Sequence, residues 1–564
     1  MRREFHQRVS GLLLNVLLIC VVTGQVKSQV QSDDVIRVKT ELVQTDVTVV
    51  DKRGRVVVGL RADDFELRVD SKRQSLSFFE EIATGSIEEE RQLTAARKGV
   101  KLSGTPDSAT ERGRVVFFFV DDVHLTSEGL NRARSVITHF VENRMTAKDR
   151  VAVVSTSGQI GFLQQLTDNK AVLREAISRL NSKYNPETTA SKVSISEVDA
   201  TLVSNHGDRG LFAYLMEATM KEFQTNALNA FTIVTNRVRQ INAQSRMAEV
   251  DTLSRLEGLM RSTTPLQGRK LLFFISDGFV VDAKRSNGSD VMRRVINEAA
   301  RVGVVVYSLG TRPNVFGSGI DVSKNDYPDF SPRTASRSLA ESKMPQEPLE
   351  TLAEETGGRS FLNASALDDG VGEALTESSA YYLLAWRPDG ENQRSGKSRL
   401  KVEVKGRPDL RVRMRQRFFD FRNTEAVVKT TRAPDDELKM ALGSLYPRRE
   451  LPISVSASFA NTVGKGTVLK ASMQIDGASL SFGEREQQAI VDVLGIAVDD
   501  RGQFSTFKQK LDIPRAVVAK EGRFIKWSQA LPLPPGLYQV RVAVRDRQTG
   551  RTGSAMTWIE IRPR

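Results

Sequence analysis

A single cysteine in 564 residues removes several kinds of protein at once. A disulfide scaffold needs several, and so does any multi-cysteine zinc or iron-sulfur centre. Histidine is nearly as scarce: there are four, and His6 lies in the N-terminal leader. A Ser-His-Asp arrangement would have to use His124, His139 or His206. His139 lies in a helical stretch and His206 in a polar loop, and neither stands beside a recognisable nucleophile. The chain also lacks a Gly-x-Ser-x-Gly elbow, a Walker loop, a His-Glu-x-x-His pair and a catalytic cysteine. Apart from one stretch near the start, no apolar run approaches the length needed to span a bilayer.

What is present is an ordinary globular composition, with 40% hydrophobic and 27% charged residues. The length implies about three or four domains, each able to bury a core. The net charge of +13 gives the surface a basic bias, but both signs are well represented. At the start, Arg2, Arg3 and Arg8 precede an apolar run from Gly11 to Thr23, followed by polar residues. That order reads as a secretory signal peptide over residues 1–28, because the run is too short for a membrane-spanning helix. Cys20 lies in this run after Ile19, where a lipoprotein-type site calls for a small residue, so lipidation stays an open alternative. The expectation is an exported protein, periplasmic, secreted or associated with the cell envelope. After signal cleavage it would have no transmembrane span and no nucleic-acid partner.

Residues 35–84 read as a small β module: Val43, Thr45, Val47 and Val49 alternate, and so do Phe65, Leu67 and Val69. Residues 85–113 read as a linker. From Arg114 the pattern becomes apolar strands alternating with amphipathic helices: Val115 to Val120, then a helix; Val151 to Ser155, then a helix; a long helical stretch from Leu211 to Ser262; Leu271 to Ser276, then a helix; and Val304 to Leu309. Continuous apolar strands mark a parallel sheet covered on both faces, so residues 114–390 are expected to form a doubly wound, Rossmann-like α/β domain, finished by Tyr381 to Trp386. A polar loop runs from Pro313 to Pro345. Leu400 to Val404 and Leu410 to Met414 read as an appended β hairpin over 391–420. Arg411, Arg413 and Arg415 alternate there on one strand face, read as solvated or as facing an anionic envelope surface or polysaccharide. After a linker with a short helix over 421–450, about seven short strands over 451–564 point to an immunoglobulin-like β-sandwich. In its final hairpin Tyr538, Val540, Val542 and Val544 share one face.

Ligands in a doubly wound sheet sit beyond the carboxyl ends of the strands, where the winding reverses. Two acidic strand ends stand out: Asp121-Asp122-Val123-His124-Leu125-Thr126 after the first strand, and Ser276-Asp277-Gly278 after a later one. If those strands are neighbours, Asp122 and Asp277 converge on one pocket, with hard oxygen donors suited to Mg²⁺. Simple capping of the following helices is the plain alternative.

This arrangement resembles a von Willebrand factor type A domain, whose metal-ion-dependent adhesion site has Asp-x-Ser-x-Ser after the first strand and Asp-Gly after the fourth. On that resemblance Asp122 matches the first Asp, His124 and Thr126 replace the two Ser, and Asp277-Gly278 matches the later pair. An imidazole at His124 favours Mn²⁺ or Zn²⁺ over Mg²⁺. Counting from Asp121 instead would put Val123 and Leu125 where hydroxyls belong, which leaves Asp121 as a supporting carboxylate. The family's separate Thr ligand has three equal candidates, Thr188, Thr189 and Thr201. Asp51-Lys52-Arg53-Gly54, Asp64-Phe65-Glu66-Leu67, Gly268-Arg269-Lys270, Leu352 to Gly358 and Tyr381 to Leu384 make the set similar to the type A-related proteins abundant in Acidobacteria. The resemblance implies an exported protein with an A-type domain and no particular activity. The leading expectation is a non-enzymatic binding protein, which in the mechanism the resemblance suggests engages a partner's acidic side chain through Mg²⁺ or Mn²⁺ at Asp122, His124, Thr126 and Asp277. The alternatives are a secreted hydrolase with His124 as base, and a metal-free assembly module.

Overall fold

The structure is a computed structural model. It describes residues 43–83, 114–184, 193–264, 266, 268–281, 286–312, 335–387, 400–414, 434–444, 447–448, 450–462, 466–482, 487–499, 504–521 and 524–561. The leader, the 85–113 linker, Thr188, Thr189 and Arg415 lie outside these residues, as does 313–334 of the polar loop.

The N-terminal segment supplies β1 (Val43–Val50), β2 (Phe65–Val69), β3 (Lys72–Gln74) and β4 (Leu76–Ala83). The chain then enters the α/β region: β5 (Val115–Val120), α1 (Ser127–His139), β6 (Arg150–Ser155), α2 (Lys170–Ser178), α3 (Glu197–Asn205), α4 (Arg209–Phe223), α5 (Ala227–Ser262), β7 (Lys270–Ser276), α6 (Ser286–Val302), β8 (Val304–Gly310), α7 (Ala335–Lys343), α8 (Glu347–Glu355), β9 (Ser360–Phe361) and α9 (Leu367–Glu377). The strands form one parallel sheet in the order β6-β5-β7-β8-β9. Val116, Phe118 and Val120 face a core shared with α1, α2 and α9. Phe117 and Phe119, alternating with them, face a second core with α5, α6 and α8. That double burial is why β5 reads as an unbroken apolar run, and each such phenylalanine contributes about 1.5–3 kcal/mol. From β5 the chain crosses to β6 on one side and later returns to β7 on the other, so the winding reverses between β5 and β7. The expected helix from Leu211 to Ser262 is two helices, broken where Gln224 takes a left-handed conformation and Asn226 caps α5.

Tyr381 to Trp386 does not finish the parallel sheet. It is β10 (Ala380–Trp386), and it lies between β1 and β4, antiparallel to both. The two strands read as a hairpin also part company: β11 (Leu400–Val404) pairs with β2 and β12 (Arg411–Met414) pairs with β1. The result is a β12-β1-β10-β4 sheet and a β11-β2-β3 sheet, whose inner faces share Val47, Val49, Phe65, Leu67, Tyr382, Leu384, Trp386 and Val402. The whole α/β region is therefore inserted between β4 and β10 of a seven-stranded antiparallel module.

Beyond α10 (Pro434–Gly443) come β13 (Ile453–Thr462), β14 (Gly466–Asp476), β15 (Gln488–Asp499), β16 (Phe504–Pro514), α11 (Arg515–Glu521), β17 (Phe524–Pro532), β18 (Gly536–Asp546) and β19 (Thr552–Ile561). They form antiparallel sheets β13-β14-β17 and β16-β15-β18-β19 around one core. Tyr538, Val540, Val542 and Val544 are buried in it, as their alternation predicts. Among the described residues no helix is long and apolar enough to cross a membrane.

Candidate functional site

The carboxyl ends of β5 and β7 are adjacent, because Val120 pairs with Ile275 in the parallel register. Thr126 and Asp277 meet there. Asp277 Oδ2 accepts from the Thr126 backbone N–H and from its Oγ1, both at 2.9 Å, and Asp277 Oδ1 accepts from Thr311 Oγ1 at the end of β8. Thr126 is also the N-cap of α1, its Oγ1 accepting from Gly129 N at 3.1 Å. Capping and site-building are thus one geometry. Gly129 is required by closeness: a Cβ there would stand 2.8 Å from both Asp277 carboxylate oxygens and from Thr311 Oγ1. Gly278 is required twice over, by φ of +88° and by the Pro345 carbonyl, 2.2 Å from where a Cβ would be.

Asp122 is held on the side of β6. Ser157 N donates to its Oδ1 at 2.9 Å, and Ser157 Oγ and Gln159 Nε2 donate to its Oδ2, the latter at 2.6 Å. Gln159 Nε2 also reaches Asn181 O at 2.6 Å, and Gln159 Oε1 accepts from Asn181 N, so one side chain ties two loops to this carboxylate. Burial pushes the Asp122 carboxyl above the ordinary aspartate range against the Ser157 hydrogen bonds, and the Asp121 charge adds to the rise.

Asp121 is wholly buried and accepts four hydrogen bonds: Thr156 Oγ1 at 3.2 Å and Thr252 Oγ1 at 3.1 Å on Oδ1, Ser276 Oγ at 2.7 Å and His124 Nδ1 at 2.8 Å on Oδ2. Burial opposes its charge, but the His124 charge and these donors outweigh it and hold the carboxyl below its usual range. His124 shows the mirror image: burial disfavours the imidazolium, and the Asp121 charge and hydrogen bond overcome it and raise the pKa. The ring stacks on Phe279 at 5.1 Å between centroids, and its Nε2 is buried without a hydrogen-bond partner among the described residues. Among the described residues no hydroxyl is bonded to that nitrogen; Ser276 donates to Asp121 instead.

The structure therefore brings Thr126 and Asp277 into contact, sets Asp122 against Ser157 and Gln159, and turns His124 toward Asp121. Among the described residues, no three His, Cys, Asp or Glu side chains are gathered as metal ligands. Thr201 lies inside α3 and donates to Glu197 O at 2.9 Å, a helical back-bond that turns it away from ligation. His139 faces Asp368 at 3.1 Å, remote from these strand ends. Ser157, Gln159, Thr252 and Thr311 had no spacing signal in the sequence, since each is a single polar residue brought in by tertiary packing.

No family model matches the chain. No curated protein matches it either. Among the solved structures that match is that of an ApaA protein from Bordetella pertussis, 14% identical over 20% of this chain and 95% of its own, with a TM-score of 0.14. A second structural-genomics target is 14% identical over 20% of this chain and 87% of its own, also with a TM-score of 0.14. Likenesses at those scores carry no argument about the fold or function of this chain.

Proposed function

We propose that this is an exported, non-enzymatic binding protein whose parallel-sheet region is a von Willebrand factor type A domain, flanked by β modules of which the C-terminal one is immunoglobulin-like. In this reading the domain grips a partner protein's acidic side chain through a divalent cation, Mg²⁺ or Mn²⁺, at the carboxyl ends of β5 and β7. The observation that carries it is the 2.9 Å approach of Thr126 Oγ1 to Asp277 Oδ2. Two oxygens bound side by side on an octahedral ion with bonds of about 2.1 Å lie about 3 Å apart, so this hydroxyl and carboxylate already have ligand spacing. Asp122 would complete the protein's share by turning from Ser157 and Gln159, and the partner's carboxylate would take an open position. His124, with Nδ1 on Asp121 and Nε2 without a hydrogen-bond partner among the described residues, has the orientation of an imidazole steadied by a carboxylate, and would ligate a cation only after giving up the Nε2 proton. The cation would supply positive charge for recognition.

Isothermal calorimetry with MgCl₂ and MnCl₂ tests this on the wild type, Asp122→Ala and Asp277→Ala. Saturable heat in the wild type that disappears in Asp277→Ala is the expected result; no binding of either ion by the wild type overturns the cation-dependent reading.

One observation favours a second reading, a metal-free assembly module: both oxygens of Asp122 and of Asp277 are already satisfied by protein donors. A partner that co-purifies equally well with and without a chelator would select it.

A further inference from the structure

The long helix α5 does more than cover the sheet. Thr252 Oγ1 touches Asp121, which places residue 252 at the carboxyl edge of the sheet. Only the last part of α5, through Leu253, Leu256, Leu259 and Met260, packs on the sheet. At about 1.5 Å per residue, the helix before Thr252 runs on for about 36 Å to Leu228, beyond that edge. Its Val234, Val238 and Ile241 pack with α3 and α4 in a separate core, steadied at its base by Val280 and by Ala340 and Met344, so this projection is a helical arm.

The tip of the arm, where α4 turns into α5, is apolar. Phe223 is 48% exposed, Leu228 74% and Phe231 50%, and Phe231 is braced from one side by Phe212 with ring centroids 5.8 Å apart. No residue from Phe223 to Asn236 carries a charge, and no aspartate or glutamate occurs from Phe223 to Ala248. The cations behind the tip are exposed: Lys221 at the end of α4, and Arg239 and Arg246 on α5. The nearest acid, Glu222, accepts from Val193 N at 3.3 Å. Arg239 lies eight residues after Phe231, about 12 Å along the helix.

We infer that this tip docks on an anionic phospholipid bilayer. An amphipathic element enters the headgroup and acyl boundary by about 5–10 Å, which takes in Phe223, Leu228 and Phe231 and leaves Arg239 at the level of the phosphates. Lys221, Arg239 and Arg246 are exposed and supply attraction to anionic headgroups. A polysaccharide would satisfy the arginines but offers nothing to the uncharged tip, so the two features together select a bilayer. The inference is independent of any cation at Asp277.

The test uses purified protein with vesicles of phosphatidylcholine, with or without phosphatidylglycerol. A nitrobenzoxadiazole label on Leu228→Cys, in a Cys20→Ser background, reads the tip itself and not the apolar leader. Its emission should rise on phosphatidylglycerol vesicles and rise far less on phosphatidylcholine alone. Phe223→Ser with Phe231→Ser should weaken partition about tenfold, Arg239→Glu with Arg246→Glu should abolish the preference for anionic lipid, and Asp277→Ala should change neither. These sites are exposed, so the substitutions leave the fold intact, which circular dichroism checks. An unchanged emission on anionic vesicles overturns the inference, as does binding to dextran sulfate without binding to vesicles.

Discussion

At the scale of single residues, the site depends on what is missing as much as on what is present. Gly129 makes room for the Asp277 carboxylate, so Gly129→Ala should force that carboxylate from Thr126 at a cost of about 1–3 kcal/mol. The expected outcome is loss of cation heat by calorimetry with the near-ultraviolet circular dichroism spectrum retained. Asp121 has the opposite character, a buried charge on which four donors converge. Asp121→Ala would leave His124 without its counter-charge and three hydroxyls without an acceptor, and should destabilise the chain by about 3–5 kcal/mol in urea unfolding. The sequence makes it legible that Asp122, Thr126 and Asp277 sit at the ends of two apolar strands, and leads to the expectation that Asp122 and Asp277 converge if those strands adjoin. The strands do adjoin, but it is Thr126 that contacts Asp277, while Asp122 is held by Ser157 and Gln159. The adjoining pair Asp121 and Asp122 was harder, since only the pleat decides which one points inward, and it buries Asp121 in the network while Asp122 faces the β6 loop. Arg413 shows the same limit. Alternation marked it as one of a solvated row, yet it pairs with the buried Glu377.

At the scale of elements, β5 shows where sequence reasoning works: its observed bounds are those of the apolar run, because burial on both faces leaves no polar position inside it. The same signature misleads at β10. Tyr382, Leu384 and Trp386 face one core and Tyr381, Leu383 and Ala385 another, so a central antiparallel strand covered on both sides looks like a parallel one. Its partners are set by pairing with strands some 300 residues earlier, which no local pattern encodes. In the helical arm, Asp199 of α3 is paired with Arg337 of α7 at 2.8 Å while its Oδ1 has no hydrogen-bond partner among the described residues. Burial outweighs the Arg337 charge and pushes this carboxyl up to about 6. A raised carboxyl binds its proton more tightly in the folded state. Its penalty is therefore absent below the unfolded value of 3.8, grows as pH rises between the two, and is complete above about 6, on the order of 3 kcal/mol. Hydrogen exchange in α3 should accordingly be better protected at pH 5 than at pH 7 after correction for intrinsic rates, and Asp199→Asn should remove most of that difference.

At the scale of the whole molecule, the inserted α/β region is fastened to its host by charge. Glu377 of α9 is buried and pairs with Arg413 of β12 and, at 3.4 Å, with Arg359, while Arg269 at the start of β7 donates to Thr48 of β1 at 2.9 Å and lies over the Tyr381 ring at 5.3 Å. Burial raises the Glu377 pKa against the pull of Arg413 and Arg359. Arg413→Ala should cost about 3 kcal/mol, because it leaves most of a buried charge uncompensated, and Glu377→Gln with Arg413→Met should cost much less; urea midpoints of the two variants check this. At the other side Gln165, just beyond the loop that holds Asp122, accepts from the buried Gln539 of β18 at 2.7 Å, so the C-terminal module rests on the segment next to the candidate site. The insertion between β4 and β10 also has a consequence in time. As the chain is made from its N-terminus, β1 to β4 emerge first and must wait for about 300 further residues before β10, β11 and β12 can close their sheets. The α/β region, whose strands and helices are consecutive, can fold during that interval, and in folding it brings residue 380 back toward residue 83. The guest domain would act as the tether that shortens an otherwise long search for strand partners.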